Sequence, residues 1–462
     1  MIKVFMIDNK KVKELKKILG KGKVFVEDEY LLTYSYDATQ IRRRPDIVVI
    51  VENESDVKKT LEFAYKNNIP VVPRGAGVGY SGGAIPVKGG IELVFTRMNK
   101  ILKIDKINRI AIVQPGVITY NLQKEVEKAG LYYPPDPASL KTSTIGGNVM
   151  ENAGGPRCFK YGVTLNYVMS VEGYLINGKK VSFGNMTIKD VAGYDLKSLV
   201  VGSEGTLVVL TEIMLKLIPK PETKVLVKID LKTLKNGAVL INELINRNIQ
   251  PSAIEFIDST SLLAVSKYLN LDYNKEIGSS VIIELDGSKG AVDLRLTRLK
   301  EISERFELIE FNVAVDDKEQ EELWKMRRNI SPAVSKLKPK KINEDIVVPV
   351  SEIPETVEYF KRLSEEFGVM IVIFGHLGDG NIHTNIMINP ENKEEVEKSE
   401  ILLDKIFKYV VSKRGSITGE HGIGITKKRF LSYQFSDVEI ELFKKIKTVF
   451  DEKNLLNPDK IF

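Results

Sequence analysis

Val71-Val72-Pro73-Arg74-Gly75-Ala76-Gly77-Val78-Gly79-Tyr80-Ser81-Gly82-Gly83 delivers a β-type run straight into a loop with five glycines. Closely spaced glycines let backbone N–H groups turn inward at positive φ and approach an anion, which is the geometry a diphosphate needs. Residues 77–82 match G-x-G-x-x-G, yet Ala84-Ile85-Pro86-Val87-Lys88-Gly89-Gly90 follows where a Rossmann fold requires a helix. No Lys-Ser/Thr follows as in a P-loop, so both nucleotide folds are set aside. Taken alone, the segment still admits a glycine-rich turn with no ligand, because the pattern by itself has little specificity.

The loop sits in a chain of 462 residues, too long for one core of ordinary size and suited to two or three domains of about 150 residues each. Hydrophobic residues at 43% and charged residues at 28% exclude a disordered or disulfide-scaffold chain. The balance of 68 Lys+Arg against 62 Asp+Glu leaves a dispersed +6 without a basic arm, which argues against nucleic acid as a partner. A single cysteine, Cys158, makes neither an intramolecular disulfide nor a Cys-rich zinc or iron–sulfur site, so any electrons need another carrier. The opening MIKVFMIDNKKVKELKK has only a short apolar run, and no stretch reaches the roughly 18 apolar residues of a membrane span. The expected location is the cytoplasm, with peripheral attachment to the inner face of the membrane left open.

Helix-period segments such as Ser55 to Lys66 alternate with β-branched runs such as Ile47 to Val51 and Ile91 to Phe95. Leu217-Ile218-Pro219-Lys220-Pro221-Glu222 breaks any regular element, and the glycine content falls after it. Beyond it the pattern predicts strand Val225 to Ile229, helix Leu234 to Asn246, strand Ala253 to Ile257, strand Val281 to Leu285, helix Ala291 to Arg305 and strand Leu308 to Val313. That βαββαβ-like order predicts a ferredoxin-like sheet covered on one face. The expected fold class is α+β, with no internal repeats.

A second stretch changes the weight of the glycine loop. It comprises Pro134-Pro135-Asp136-Pro137-Ala138-Ser139, Thr142-Ser143-Thr144-Ile145-Gly146-Gly147-Asn148 and Asn152-Ala153-Gly154-Gly155-Pro156-Arg157-Cys158-Phe159-Lys160-Tyr161-Gly162. Small residues over some thirty positions leave little side chain to fill a core, and a large flat cofactor would fill that space. These motifs, followed by Val201-Gly202-Ser203-Glu204-Gly205-Thr206-Leu207, resemble in order the FAD domain of the vanillyl-alcohol oxidase / p-cresol methylhydroxylase (PCMH) type. The match covers about residues 37–221.

The resemblance implies a two-subdomain FAD-binding domain over 1–221, a cap or substrate domain over 222–410, and a C-terminal helical segment over 411–462 that returns to the FAD domain. It implies a pyrophosphate held by Arg74, Gly75, Ala76, Gly77, Ser81 and Gly82. Further flavin contacts would come from Pro135, Asp136, Ser139, Thr142, Gly146, Gly147, Asn148 and Gly154, with Glu204 and Gly205 nearby. Val78 stands where proteins of this type usually carry Thr, which removes one hydroxyl from the loop and leaves its backbone donors. Covalent flavin attachment commonly uses a His, and no His precedes residue 376, so the FAD is expected to be non-covalent.

The three histidines, His376, His383 and His421, all fall in the last quarter of the chain. Val369 to Phe374 reads as a strand, Gly378-Asp379-Gly380 as a tight turn and Asn381 to Ile388 as the returning strand, which brings His376 and His383 to one end of a sheet. Thr418-Gly419-Glu420-His421-Gly422-Ile423-Gly424 adds a carboxylate and a third imidazole between glycines. Two histidines and one carboxylate leave a divalent metal an open position, the catalytic rather than structural pattern. Both segments resemble the C-terminal region of FAD-linked 2-hydroxyacid dehydrogenases. The resemblance implies that His376, His383 and Glu420 bind a divalent metal (Zn, Fe or Mn) and that His421 is the base.

Leu323-Trp324-Lys325-Met326-Arg327-Arg328 places the only Trp and two guanidiniums on a helix. Read alone, Trp324 is a core anchor and Arg327 a solvated charge. The family pattern L-W-x-x-R matches at Arg327, which implies a bidentate hold on a substrate carboxylate. Members acting on dicarboxylates carry a Lys where this chain has Asn343, with Lys341 two residues away. The expectation is FAD-dependent oxidation of a small D-2-hydroxy acid, D-lactate or glycolate, to the 2-oxo acid, with D-2-hydroxyglutarate as the runner-up. A non-redox transferase or a silent electron-transfer subunit on the same fold is the alternative from another class. The acceptor would be a quinone, an electron-transfer flavoprotein or an iron–sulfur subunit, and oligomerisation is left open.

Overall fold

The computed structural model describes residues 7–462; the apolar start of the N-terminal stretch, residues 1–6, lies outside them. The chain divides into two compact units. The first is made of the residues up to Gly154, Val163–Lys220 and Glu420–Phe462, and the second of Gly155–Gly162 and Pro221–Gly419.

Among the described residues the first unit holds a four-stranded sheet, a five-stranded sheet and a short pairing of Leu131–Tyr132 with Ile218–Pro219. Strands Ile47–Ile50, Ile91–Val94 and Val71–Arg74 are parallel, with Val24–Phe25 added antiparallel at the edge. The parallel strands are buried and mostly apolar, as sheets covered on both faces require, with buried Glu92 paired to Arg74. Helix Glu54–Asn67 packs Val57, Leu61 and Ala64 into the same core as Ile47, Ile91 and Leu93. Asn53 caps its N-terminus through Asp56 N–H, and Asn68 ends it in the left-handed conformation at φ +53°. The second sheet is antiparallel, in the order Ile101–Asp105, Ile110–Val113, Val209–Lys216, Val168–Tyr174, Lys180–Gly184. The C-terminal segment is tied into this unit: Asn457 N–H donates to Val71 O at 2.7 Å, and the Lys460 amine donates to Ile85 O at 2.6 Å.

The second unit is built on a seven-stranded antiparallel sheet. Its strands are β1 (Thr223–Leu231), β2 (Ala253–Asp258), β3 (Ser279–Gly287), β4 (Leu308–Ala314), β5 (Lys340–Val347), β6 (Met370–Gly375) and β7 (Asn381–Ile388). The spatial order is β4-β1-β3-β2-β6-β7-β5, so the first four strands form the ferredoxin-like 4-1-3-2 arrangement.

Three features depart from the sequence expectation. A helix, Ser259–Leu269, separates β2 from β3; Asp258 is both the last residue of β2 and its N-cap, so no turn residues announce it. The sheet is covered on both faces: Gly237 of helix Leu234–Asn246 lies against Phe256, while Leu262 and Trp324 share a core with Ile257 and Ile282 on the opposite face. The expected boundary at 410/411 falls inside helix Lys393–Ser412, and the chain stays in this unit to Gly419 because Ser416 bridges to Val347 and Gly419 N–H bonds Asp345.

Candidate functional site

The glycine loop follows Val71–Arg74 without a helix and lines a cleft that is partly open to solvent. The walls come from Arg74 to Tyr80, from Pro137 to Ser139, from Ser143 to Gly154 in part, and from Glu204, Gly205, Val208 and Leu210. Gly75 has no room for a side chain, since a Cβ there would stand 2.3 Å from Thr144 Oγ1, and Gly77 requires φ +69°. Thr144 caps helix Ile145–Glu151 through Gly147 N–H at 3.2 Å, and Gly146 packs flat against Pro115.

Of the residues expected at the flavin, Arg74, Gly75, Ala76, Gly77, Ser139, Gly146, Gly147, Asn148, Gly154, Glu204 and Gly205 line this cleft. Ser81, Gly82, Pro135, Asp136 and Thr142 are not among the residues that line it. The Ser81 hydroxyl faces Glu151 at 3.2 Å and accepts Gly83 N–H, Gly82 packs on Ile425, and Pro135 O accepts from Gln123. The Arg74 guanidinium also points away from an anion site: it donates to Tyr36 O at 2.7 Å, contacts Glu92 and lies under Gly77. Its side chain is therefore committed to Tyr36, Glu92 and the underside of Gly77.

Glu420 and His421 are part of the same wall. The His421 ring lies 5.0 Å from the Tyr80 ring, and a Cβ on Gly154 would approach Glu420 Oε2 to 2.8 Å. Gly422, at φ +83°, threads between the carboxyls of half-buried Glu151 and buried Glu204, and Ile423 N–H donates to Glu204 at 2.8 Å. Burial pushes Glu204 up to about 7 against the lowering effect of the Ile423 and Gly424 N–H groups. Burial and the neighbouring Glu204 charge push Glu151 well above the usual carboxylate range. Nothing in the sequence marked Glu151, which sits in an apolar helix next to the quoted Asn152 motif.

In the second unit the β6–β7 hairpin places His376 at the end of β6 and His383 on β7 opposite Phe374, with ring centroids 5.1 Å apart at 83°. Both are buried. On the outer strand β5, Asp345 lies opposite His383, 3.7 Å from its Nδ1. Asp345 itself accepts from Asn381 Nδ2 at 2.6 Å, Gly419 N–H at 2.9 Å and Thr418 Oγ1 at 3.2 Å.

Arg327, in the last turn of helix Asp317–Arg328, is 7% exposed and not a solvated charge. Its guanidinium carbon lies 5.2 Å from the Phe374 ring centre, its Nε donates to Glu255, and its Nη2 has no hydrogen-bond partner among the described residues. Trp324, one turn earlier, packs in the core beneath Arg157. Glu255 accepts from Arg327 on one oxygen and meets His376 Nδ1 at 2.5 Å on the other. Burial raises its affinity for a proton, but Arg327 and His376 outweigh burial and hold it below the usual carboxylate range. A sequence signal for Glu255 existed: it is the one ionisable residue inside Ala253 to Ile257, and a charge buried in a central strand requires partners.

The residues fit the groups that the sequence implied. Glycines whose Cβ positions are blocked, small side chains and a long open cleft suit a dinucleotide of flavin size. His376 and His383, both buried with ring centroids 5.1 Å apart, offer imidazole nitrogens of the kind a divalent metal takes.

Residues 45–184 match the model of an FAD binding domain, and residues 220–461 match that of FAD linked oxidases, C-terminal domain. The chain is 40% identical over 432 residues to glycolate oxidase subunit GlcD of Bacillus subtilis, covering 93% of this chain and 92% of the relative. It is 33% identical over 460 residues to D-lactate dehydrogenase of Anaerostipes hadrus, covering 97% and 96%. Among solved structures, p-cresol methylhydroxylase with substrate bound superposes with a TM-score of 0.79 at 17% identity, covering 97% of this chain and 96% of that one, which shows the PCMH-type fold. The chain belongs to the FAD-linked oxidases and is an FAD-dependent oxidoreductase.

Proposed function

We propose that the chain oxidises a small D-2-hydroxy acid, D-lactate or glycolate, to the 2-oxo acid. The observation that carries this reading is His421: an imidazole lies in the wall of the glycine-lined cleft, so a proton acceptor and a hydride acceptor belong to one cavity. FAD, when bound along Gly75, Ala76, Gly77, Gly146 and Gly147, supplies the acceptor for the hydride that leaves C2. A divalent metal, when bound by His376, His383 and Glu420, supplies Lewis acidity toward the substrate hydroxyl. His421 takes the hydroxyl proton at a ring nitrogen, so that loss of one proton and one hydride balances the oxidation. Arg327 holds the carboxylate with the end of its guanidinium that Glu255 leaves open.

The names of the relatives, a glycolate oxidase subunit and a D-lactate dehydrogenase, support this substrate class. D-2-Hydroxyglutarate fits less well. Asn343 occupies the position of the second cation, and the Lys341 amine is bound to Ser331 Oγ at 2.7 Å. With one cysteine in the chain, the acceptor is external: a quinone, an electron-transfer flavoprotein or an iron–sulfur subunit. Among the described residues no helix is long and apolar enough to cross a membrane.

Arg327→Lys is expected to keep the positive charge and lose the planar fork, lowering kcat/KM for D-lactate or glycolate by roughly 10-fold or more, with a deficit that saturating substrate does not fully restore. Steady-state kinetics with metal and flavin content matched to the parent check this; unchanged constants would remove Arg327 from the site. Acid precipitation of the purified enzyme is expected to leave the yellow colour in the supernatant. Flavin retained on the denatured chain would contradict non-covalent binding.

A further inference from the structure

We propose that Glu255 is a positioning residue that fixes the ring tautomer of His376 and the presented edge of Arg327 at the same time. The inference rests on the reading above, in which His376 is a metal ligand and Arg327 the carboxylate clamp.

Glu255 lies in the middle of β2 and is fully buried. One carboxylate oxygen is 2.5 Å from His376 Nδ1, and the other accepts Arg327 Nε. An ionised carboxylate only accepts, so the nitrogen that it meets carries the proton. His376 is thereby held as the Nδ1–H form, and Nε2 keeps the lone pair for a metal. The same logic acts on Arg327: with Nε committed to Glu255, the Nε/Nη edge is closed to a substrate. The carboxylate is then met by the Nη pair, of which Nη2 has no partner among the described residues. One side chain thus links the metal ligand to the substrate clamp, which a merely structural ion pair would not require.

With only three histidines in the chain, ring-nitrogen NMR of ¹⁵N-histidine-labelled, FAD-loaded and metal-free enzyme resolves each imidazole. At a pH where the ring is singly protonated, His376 is expected to carry its proton on Nδ1. A proton on Nε2 would overturn the inference with no variant needed. Zinc affinity, measured by competition with a chromophoric chelator, is expected to fall about 10- to 100-fold in Glu255→Gln with FAD content unchanged. Equal zinc affinity and an unchanged His376 spectrum in a folded Glu255→Gln would also overturn it. A parent enzyme that takes up no stoichiometric zinc, iron or manganese would instead sink the ligand reading on which the inference stands. If Glu255→Gln does not retain FAD, the parent spectrum decides alone.

Discussion

His421→Asn is expected to slow flavin reduction by about 10²- to 10⁴-fold, the usual cost of removing a general base, while metal content and FAD content stay at parent levels. The asparagine keeps a polar side chain of similar size next to Tyr80, and the backbone after it remains held by Glu204 through Ile423 N–H. What is lost is the ring nitrogen that takes the hydroxyl proton. Stopped-flow bleaching under anaerobic conditions reads this step directly. A variant that reduces flavin at the parent rate would remove His421 from the chemistry.

Removal of the metal is expected to have the largest effect. Strong chelation, or His383→Ala, should abolish substrate-driven bleaching while the oxidised flavin spectrum persists. The reason is that the glycine loop and helix Ile145–Glu151 contain none of the three proposed ligands, and of the three only Glu420 lines the flavin cleft. Elemental analysis before and after chelation, with re-addition of Zn, Fe(II) or Mn(II) as the recovery arm, checks both halves. Full rate in enzyme free of stoichiometric metal would contradict the His376/His383/Glu420 assignment.

The parts of this molecule that were legible in sequence are those with local physical causes. The glycine run announces itself because its conformations are accessible to few other residues, and helix Leu234–Asn246 has the bounds its apolar periodicity gives. The His376/His383 hairpin follows from a strand, a Gly-Asp-Gly turn and a second strand, all within twenty residues. Non-local pairing was not legible. That β2 pairs with β6, joining Phe256 to Gly375, depends on a contact far apart in the chain, and no periodicity carries it. Glu255 shows in sequence only as a charge inside an apolar strand, and it and Asp345 acquire their roles from partners distant in the chain, His376 and Arg327 for one and Asn381 and Gly419 for the other. Helix Ser259–Leu269 was hidden differently, because Asp258 ends a strand and caps a helix with no loop between them. Arg74, expected at the flavin by its motif position, lines the cleft, and its guanidinium is bonded to Tyr36 O and close to Glu92, partners that lie far from it in the chain.

The central claim, that this FAD-dependent oxidoreductase takes hydride from a small D-2-hydroxy acid, is tested most directly by anaerobic flavin bleaching against paired D- and L-2-hydroxy acids together with glycolate. The account predicts rapid, complete bleaching by D-lactate or glycolate, slower reaction with D-2-hydroxyglutarate and none with L-lactate. Bleaching by L-lactate in preference to D-lactate, or a flavin that no 2-hydroxy acid reduces, would contradict it.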